Sequence, residues 1–161
     1  MLMSHCLQMG RERAQQAAGK NVVFVIGNTG AGKSTFINYM CGCKMVEKKR
    51  KDLCMKGVGK VIVVVGSAVT IIGHETQKSA TFLPLLAYDE KTDTMYCDCP
   101  GFLDNRGAEI NIANAVNIRA VISNAKSVKI AVLINYYSNI HRCPPMYGVA
   151  KTLICTTMQL T

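Results

Sequence analysis

Asn21-Val22-Val23-Phe24-Val25-Ile26-Gly27-Asn28-Thr29-Gly30-Ala31-Gly32-Lys33-Ser34-Thr35 is the stretch that decides the fold. Its first six residues, NVVFVI, are apolar and β-branched in the manner of a buried parallel strand. A glycine-rich turn follows at once, and Ser34–Cys41 then carries Phe36, Ile37 and Met40 at helical spacing. Gly27–Ser34 fits G-x-x-x-x-G-K-[ST] at every fixed position, between the strand and the helix that this pattern requires. Glycines let the backbone curl so that successive N–H groups, those of Asn28, Thr29 and Ala31 among them, converge on an anion. The helix that starts near Lys33 adds unsatisfied N–H groups and the positive end of its dipole. Lys33 brings a point charge to the β- and γ-phosphates of a nucleotide, and the Ser34 hydroxyl is a ligand for Mg²⁺. A glycine-rich turn that merely joins strand to helix is the plainer reading; the filled pattern and its correct flanks weigh against it.

Working outward, Asp98-Cys99-Pro100-Gly101 ends an apolar strand. A carboxylate there lies beside the phosphate turn and suits Mg²⁺, while the Gly101 N–H suits the γ-phosphate. Alone, D-x-x-G is a weak pattern; after a complete phosphate loop it gains weight. Thr81–Tyr88 and Thr94–Cys99 read as strands separated only by the charged turn Asp89–Asp93, too short for a crossover helix, so they pair antiparallel. Pro84 puts the first of them at a sheet edge or a bulge. Lys60–Val65 and Val69–Ile72 read as a hairpin about Gly66-Ser67. Met3–Ala18 reads as a helix ended by Gly19. Ile110–Ala125 reads as an amphipathic helix with apolar positions 112, 115, 116, 118, 121 and 122. Val128–Ile134 is another buried strand, and Tyr147–Leu160 is expected to be a last helix.

The 161 residues suit one compact domain, and 49% hydrophobic against 18% charged residues argue against disorder. Nineteen basic and ten acidic side chains leave a formal charge of +9, densest at Lys48-Lys49-Arg50-Lys51. A solvated loop is the plain reading of that run; contact with an anionic membrane or a polyanion is the other. No specific nucleic acid is expected. Met1–Lys20 is polar and does not read as a secretory leader, and no stretch approaches the roughly 20 apolar residues that span a bilayer. The expected location is the cytoplasm, at most peripheral to a membrane, with the eight cysteines reduced. The pairs Cys41/Cys43 and Cys97/Cys99 lack the partners that complete a zinc tetrad, and His5, His74 and His141 are isolated.

Together, Gly27–Ser34, Asp98–Gly101 and the antiparallel pair of strands make the chain resemble the GTPase branch of the phosphate-loop fold. More narrowly, GNTGAGKST and DCPGFLDNRG look like septin-like and immune-associated nucleotide-binding GTPases, over roughly residues 21–135. The resemblance implies an α/β three-layer sandwich whose mostly parallel sheet gains one antiparallel strand from a β-hairpin. It divides the chain into a helical extension at 1–20 and a GTPase-like domain at 21–161, with an inserted basic, hairpin-bearing segment at about 43–75. It also implies that Thr35 touches the α-phosphate and that a threonine closes on Mg²⁺ and the γ-phosphate. Thr76, in the polar loop 22 residues before Asp98, takes that role, with Ser79 and Thr81 as rivals. The expected function is Mg-dependent GTP binding with slow hydrolysis, working as a switch or assembly module that self-associates through its nucleotide face.

Two departures from the family pattern qualify this. Phe102 stands where small Ras-like GTPases keep a water-orienting glutamine, so hydrolysis should be slow unless Asp104, Arg106 or a second protomer helps. No [NT]-K-x-D reads guanine; Asn135-Tyr136-Tyr137-Ser138 follows the strand where a match would be sought. ATP is therefore not excluded. A transporter-type ATPase would need an L-S-G-G helix start and an acidic pair ending a strand, and small-molecule kinases have no reason to keep D-C-P-G. A non-hydrolysing binding module is the alternative of another class. The missing motif is explained if residues 21–161 are the first two-thirds of a GTPase domain, incomplete at the C-terminus, which would leave Val128–Ile134 at an uncovered sheet edge. Genomic DNA past codon 161 should then encode N-K-x-D homology; an immediate native stop without it would defeat the idea.

Overall fold

A computed structural model describes residues 2–28, 30–73, 84–99, 108–135 and 152–160. It is an α/β structure with helices α1 (Leu2–Gln16), α2 (Lys33–Met40) and α3 (Ala108–Asn124). Its strands are β1 (Asn21–Gly27), β2 (Met45–Lys49), β3 (Lys60–Val64), β4 (Leu85–Asp89), β5 (Thr94–Asp98), β6 (Ser127–Asn135) and β7 (Thr152–Leu160). The main sheet runs β4-β5-β1-β6-β7, and β2 and β3 form a separate pair. In the centre, β5, β1 and β6 are parallel, with Asn21 level with both Thr94 and Ser127. The sheet is thus mixed, parallel inside and antiparallel at its two edges.

Strand alternation assigns each residue to a layer. From β1 and β5, Val22, Phe24, Met95 and Cys97 pack against Ala14 and Ala17 of the α1 end and Val121 of α3. The other parity, Val25 and Tyr96, meets Ile37 of α2, where Phe36 sets its ring edge-on to Tyr96 at 6.4 Å. Cys97 and Cys99 share a face as expected, their sulfurs 3.9 Å apart and buried. The Cys97 thiol is pushed well above its ordinary range by its hydrogen bond to Cys99 and by burial, so it remains a neutral packing group.

The antiparallel pair read from 81–99 is present as β4 and β5, with Leu85 opposite Asp98 and Asp89 opposite Thr94. Its turn is built by Asp89, whose carboxylate accepts from the Lys91 amide at 3.1 Å and from Thr92 Oγ1 at 2.6 Å.

Five expectations need correction. Residues 60–65 do not pair with 69–72; β3 pairs antiparallel with β2, Met45 facing Val64 and Lys49 facing Lys60. The basic run Lys48–Lys51 is therefore not simple loop, but the end of β2 and the start of a 3₁₀ turn, Arg50–Leu53. Thr152–Leu160 is a strand, not a helix, in keeping with its β-branched Thr152, Ile154, Thr156 and Thr157. It pairs antiparallel with β6, so Val128–Ile134 is flanked on both sides and is not an open edge.

The fifth concerns α3, whose buried face is rotated from the apolar stripe expected. Ala113, Asn117 and Val121 point inward, while Ile112 and Val116 are about half exposed, at 52% and 48%. The cause is α1. Its Gly10, Ala14 and Ala17 offer small contacts that let α3 approach closely, and Asn117 occupies the space that a side chain at residue 10 would fill. Arg13 of α1 also donates to the Pro84 carbonyl at 3.0 Å, so the helix reaches the start of β4. Gly10→Ala should destabilise the fold by about 1–3 kcal/mol through overpacking against Asn117. Urea denaturation checks this; an unshifted midpoint would place the α1–α3 contact elsewhere.

Candidate functional site

Because β1 and β5 are parallel and in register at Val25 and Asp98, both reach the same end of the sheet together. Asp98 has the parity of Tyr96, so its carboxylate faces the α2 layer and is fully buried. Ser34, in the first turn of α2, donates from Oγ to Asp98 Oδ2 at 2.7 Å. Strand alternation and one helical turn bring these two residues together across 64 positions of sequence.

The turn between β1 and α2 depends on glycine at two places. At Gly27 a Cβ would run into the Leu133 carbonyl of β6, so the strand leaves the sheet only because residue 27 has none. At Gly32 the backbone is left-handed, φ 90°, directly before α2. Gly32 is the N-cap, and no side-chain hydrogen bond among the described residues caps the helix there. The first-turn N–H groups of α2 are thus not spoken for by a capping side chain, as an anion site requires. Ala31 is buried and its amide donates to the Asn28 carbonyl at 3.1 Å, which closes the turn. Gly30 is exposed with open space about its Cα, and Thr35 is half-buried in the first turn of α2.

Lys33 folds back over this turn. Its ammonium donates to the Gly27 and Asn28 carbonyls, both at 2.9 Å, and the residue is 8% exposed. Burial pulls its pKa below the ordinary lysine value, an effect opposed by the negative charge of Asp98. Among the described residues, two of the three ammonium hydrogens have carbonyl partners. Lys33, Ser34 and Asp98 are therefore brought into one neighbourhood with Gly27, Asn28, Gly30, Ala31, Gly32 and Thr35. Thr29, Thr76 and Gly101, and with them Ser79, Thr81, Phe102, Asp104 and Arg106, lie outside the described residues.

The reading of the sequence missed Asn38. It is fully buried in α2, where its Nδ2 group donates to the Ser34 carbonyl at 2.8 Å and to both Thr70 oxygens at 2.9 Å. Its Oδ1 accepts from the Val69 amide at 3.0 Å, and Thr70 Oγ1 adds a bond to the Ser34 carbonyl at 3.2 Å. Residues 69–70 are thereby fastened to α2 by side-chain bonds, which is why they do not continue a hairpin with β3. The signal was available: a mid-helix asparagine is unfavourable unless its amide has local work, and this one follows Ser34 by one turn.

Asn38→Ala should cost about 2–3 kcal/mol, since it strands the buried Thr70 carbonyl and removes the part-buried bond from the Val69 amide. Guanidinium denaturation measures the loss; a cost within about 0.5 kcal/mol, as at an ordinary surface site, would deny Asn38 this clamping role. Comparison with protein-family models, curated proteins and solved structures finds no match to this chain, so its functional reading rests on its own residues.

Proposed function

We propose that the chain is a nucleotide-binding domain of the phosphate-loop NTPase fold that holds Mg·GTP between β1 and α2 and hydrolyses it slowly. The observation that carries this reading is the convergence of the Lys33 ammonium and the Ser34–Asp98 pair on the mouth of one glycine turn. A buried ammonium whose charged form is disfavoured by its surroundings gains most from an anionic partner, and a polyphosphate provides one.

The donors also suit magnesium. Ser34 Oγ and the Asp98 carboxylate are hard oxygen ligands already in contact, and no group of three or more His, Cys, Asp or Glu side chains that would make a protein-only cage occurs among the described residues. Mg²⁺ favours such sites, since it keeps water and phosphate oxygens in most of its coordination positions. When bound, it would neutralise charge on the β- and γ-phosphate oxygens. This chain's residues supply the rest: Lys33 orients the phosphates, Ser34 and Asp98 fix one side of the ion, and the α2 amides complete the anion cradle.

The preference for guanine over adenine rests on the resemblance to the GTPase branch, supported by D-C-P-G at the end of β5 and by the antiparallel strand β4 beside it. Slow turnover follows from Phe102, which cannot polarise water. The same residue favours a second reading, a module that binds nucleotide without turning it over.

Fluorescent GTP and ATP analogues, followed by single-turnover phosphate release, separate these readings. GTP preference with release supports the switch, tight binding without release supports the module, and ATP preference overturns the guanine assignment. Lys33→Ala should weaken binding by about a hundredfold, the loss of a charge-assisted phosphate contact. Ser34→Ala should instead remove the dependence of affinity on Mg²⁺. Full binding by folded Lys33→Ala protein would end the proposal.

A further inference from the structure

Away from Lys33, Ser34 and Asp98, the β2–β3 pair concentrates charge and exposed apolar surface in one place. Residues 44–60 contain seven basic side chains against Glu47 and Asp52. Lys48 and Lys49 are exposed at the end of β2, and Lys51 is exposed in the 3₁₀ turn that follows. Within the hairpin, Lys60 pairs with Glu47 at 2.7 Å. Between the strands, Val58 stands fully exposed, flanked by Gly57 and Gly59 with left-handed φ of 95° and 118°. Beside it opens a cavity of about 480 Å³ lined by Lys49, Lys51, Met55, Val58 and Lys60.

An apolar side chain in full contact with water, ringed by lysines whose stems are themselves apolar, is matched to a surface that is oily below and anionic above. We propose that the tip of the β2–β3 hairpin docks on an anionic phospholipid bilayer, Val58 and Met55 entering the headgroup boundary while Lys48, Lys49 and Lys51 pair with lipid phosphates and carboxylates. A nucleic acid would answer the charge equally well, but proteins that hold single strands stack bases on aromatic rings. Residues 43–73 contain no Phe, Tyr or Trp. The exposed apolar tip also has no use on a phosphodiester backbone. No helix among the described residues is long and apolar enough to cross a membrane.

Cosedimentation of the full chain, without nucleotide, tests this independently of the nucleotide reading. Vesicles of phosphatidylcholine mixed with phosphatidylserine should capture the protein, added salt should release it, and phosphatidylcholine alone should not bind. Replacing Lys48, Lys49 and Lys51 together by Gln should weaken capture on the order of a hundredfold, each basic residue near such a surface strengthening binding about fivefold. Val58→Ser should weaken it by about fivefold without changing the salt dependence. All four sites are exposed, and thermal melting of the variants confirms that they fold. Absence of capture by the mixed vesicles, equal capture by neutral ones, or wild-type capture by the triple variant would overturn the proposal. So would binding to single-stranded RNA that the mixed vesicles fail to displace and that Val58→Ser leaves unchanged.

Discussion

The parallel pairing of β1 with β5 is the constraint from which the rest of the site follows. It makes two strands, far apart in sequence, end at one level of the sheet, Val25 beside Asp98. Alternation then decides which side chains can meet the helix that leaves β1. Tyr96 and Asp98 share one parity, Met95 and Cys97 the other. A one-residue slip would bury Asp98 among the apolar contacts of α1 and α3 and would present Cys97 to Ser34. The slip is opposed on both faces at once, by Phe24 and Val22 against α1 and α3 and by Val25 against Ile37. Hydrophobic packing thus holds the polar contact in place. A Ser34–Asp98 hydrogen bond alone, worth on the order of 1.5–3 kcal/mol, would not specify a register.

Lys33 illustrates the opposite relation, in which a polar group is held at some cost. Its ammonium is largely removed from water, and burial outweighs the help it receives from Asp98. The Gly27 and Asn28 carbonyls keep it charged by direct hydrogen bonds, and they keep the turn curled about it. The arrangement is preorganised: the cation already sits on the turn, so a phosphate arriving there meets it without first ordering a long flexible side chain. Gly27 sets the limit on this geometry, since β6 approaches so closely that the turn cannot retreat into the sheet.

Much of this was legible in the residues themselves. NVVFVI followed by a filled phosphate-loop pattern gave β1, the turn and α2, and the short spacer Asp89–Asp93 gave the antiparallel β4–β5 pair. These readings rest on local features whose meaning does not depend on distant partners. What was misread depends on such partners. β2 was hidden because Met45–Lys49 is half charged and becomes a strand only when β3 lies against it. Residues 69–72 have strand composition, yet Asn38 and Thr70 tie their beginning to α2. The face of α3 was misplaced because its neighbour is a helix carrying Gly10, and Asn117 is admitted to the interior by that gap. β7 has β-branched content that favoured a strand over the helix expected for Tyr147–Leu160.

If the chain holds nucleotide as proposed, holding it and turning it over make different demands on its residues. On that proposal Lys33, Ser34 and Asp98 are the groups that would grip a polyphosphate, and their geometry is fixed by the central strands and α2. Grip that is equal in the ground state and the transition state raises affinity without raising the rate. Acceleration needs a further group that orients water, and none of these three has that role. Asn38 extends the same logic outward, because it ties residues 69–70 to the Ser34 backbone, so that α2 and the chain following the hairpin are positioned as one piece. Under the proposed function, such an organisation suits a response to whether phosphate is held more than to how fast it is cleaved.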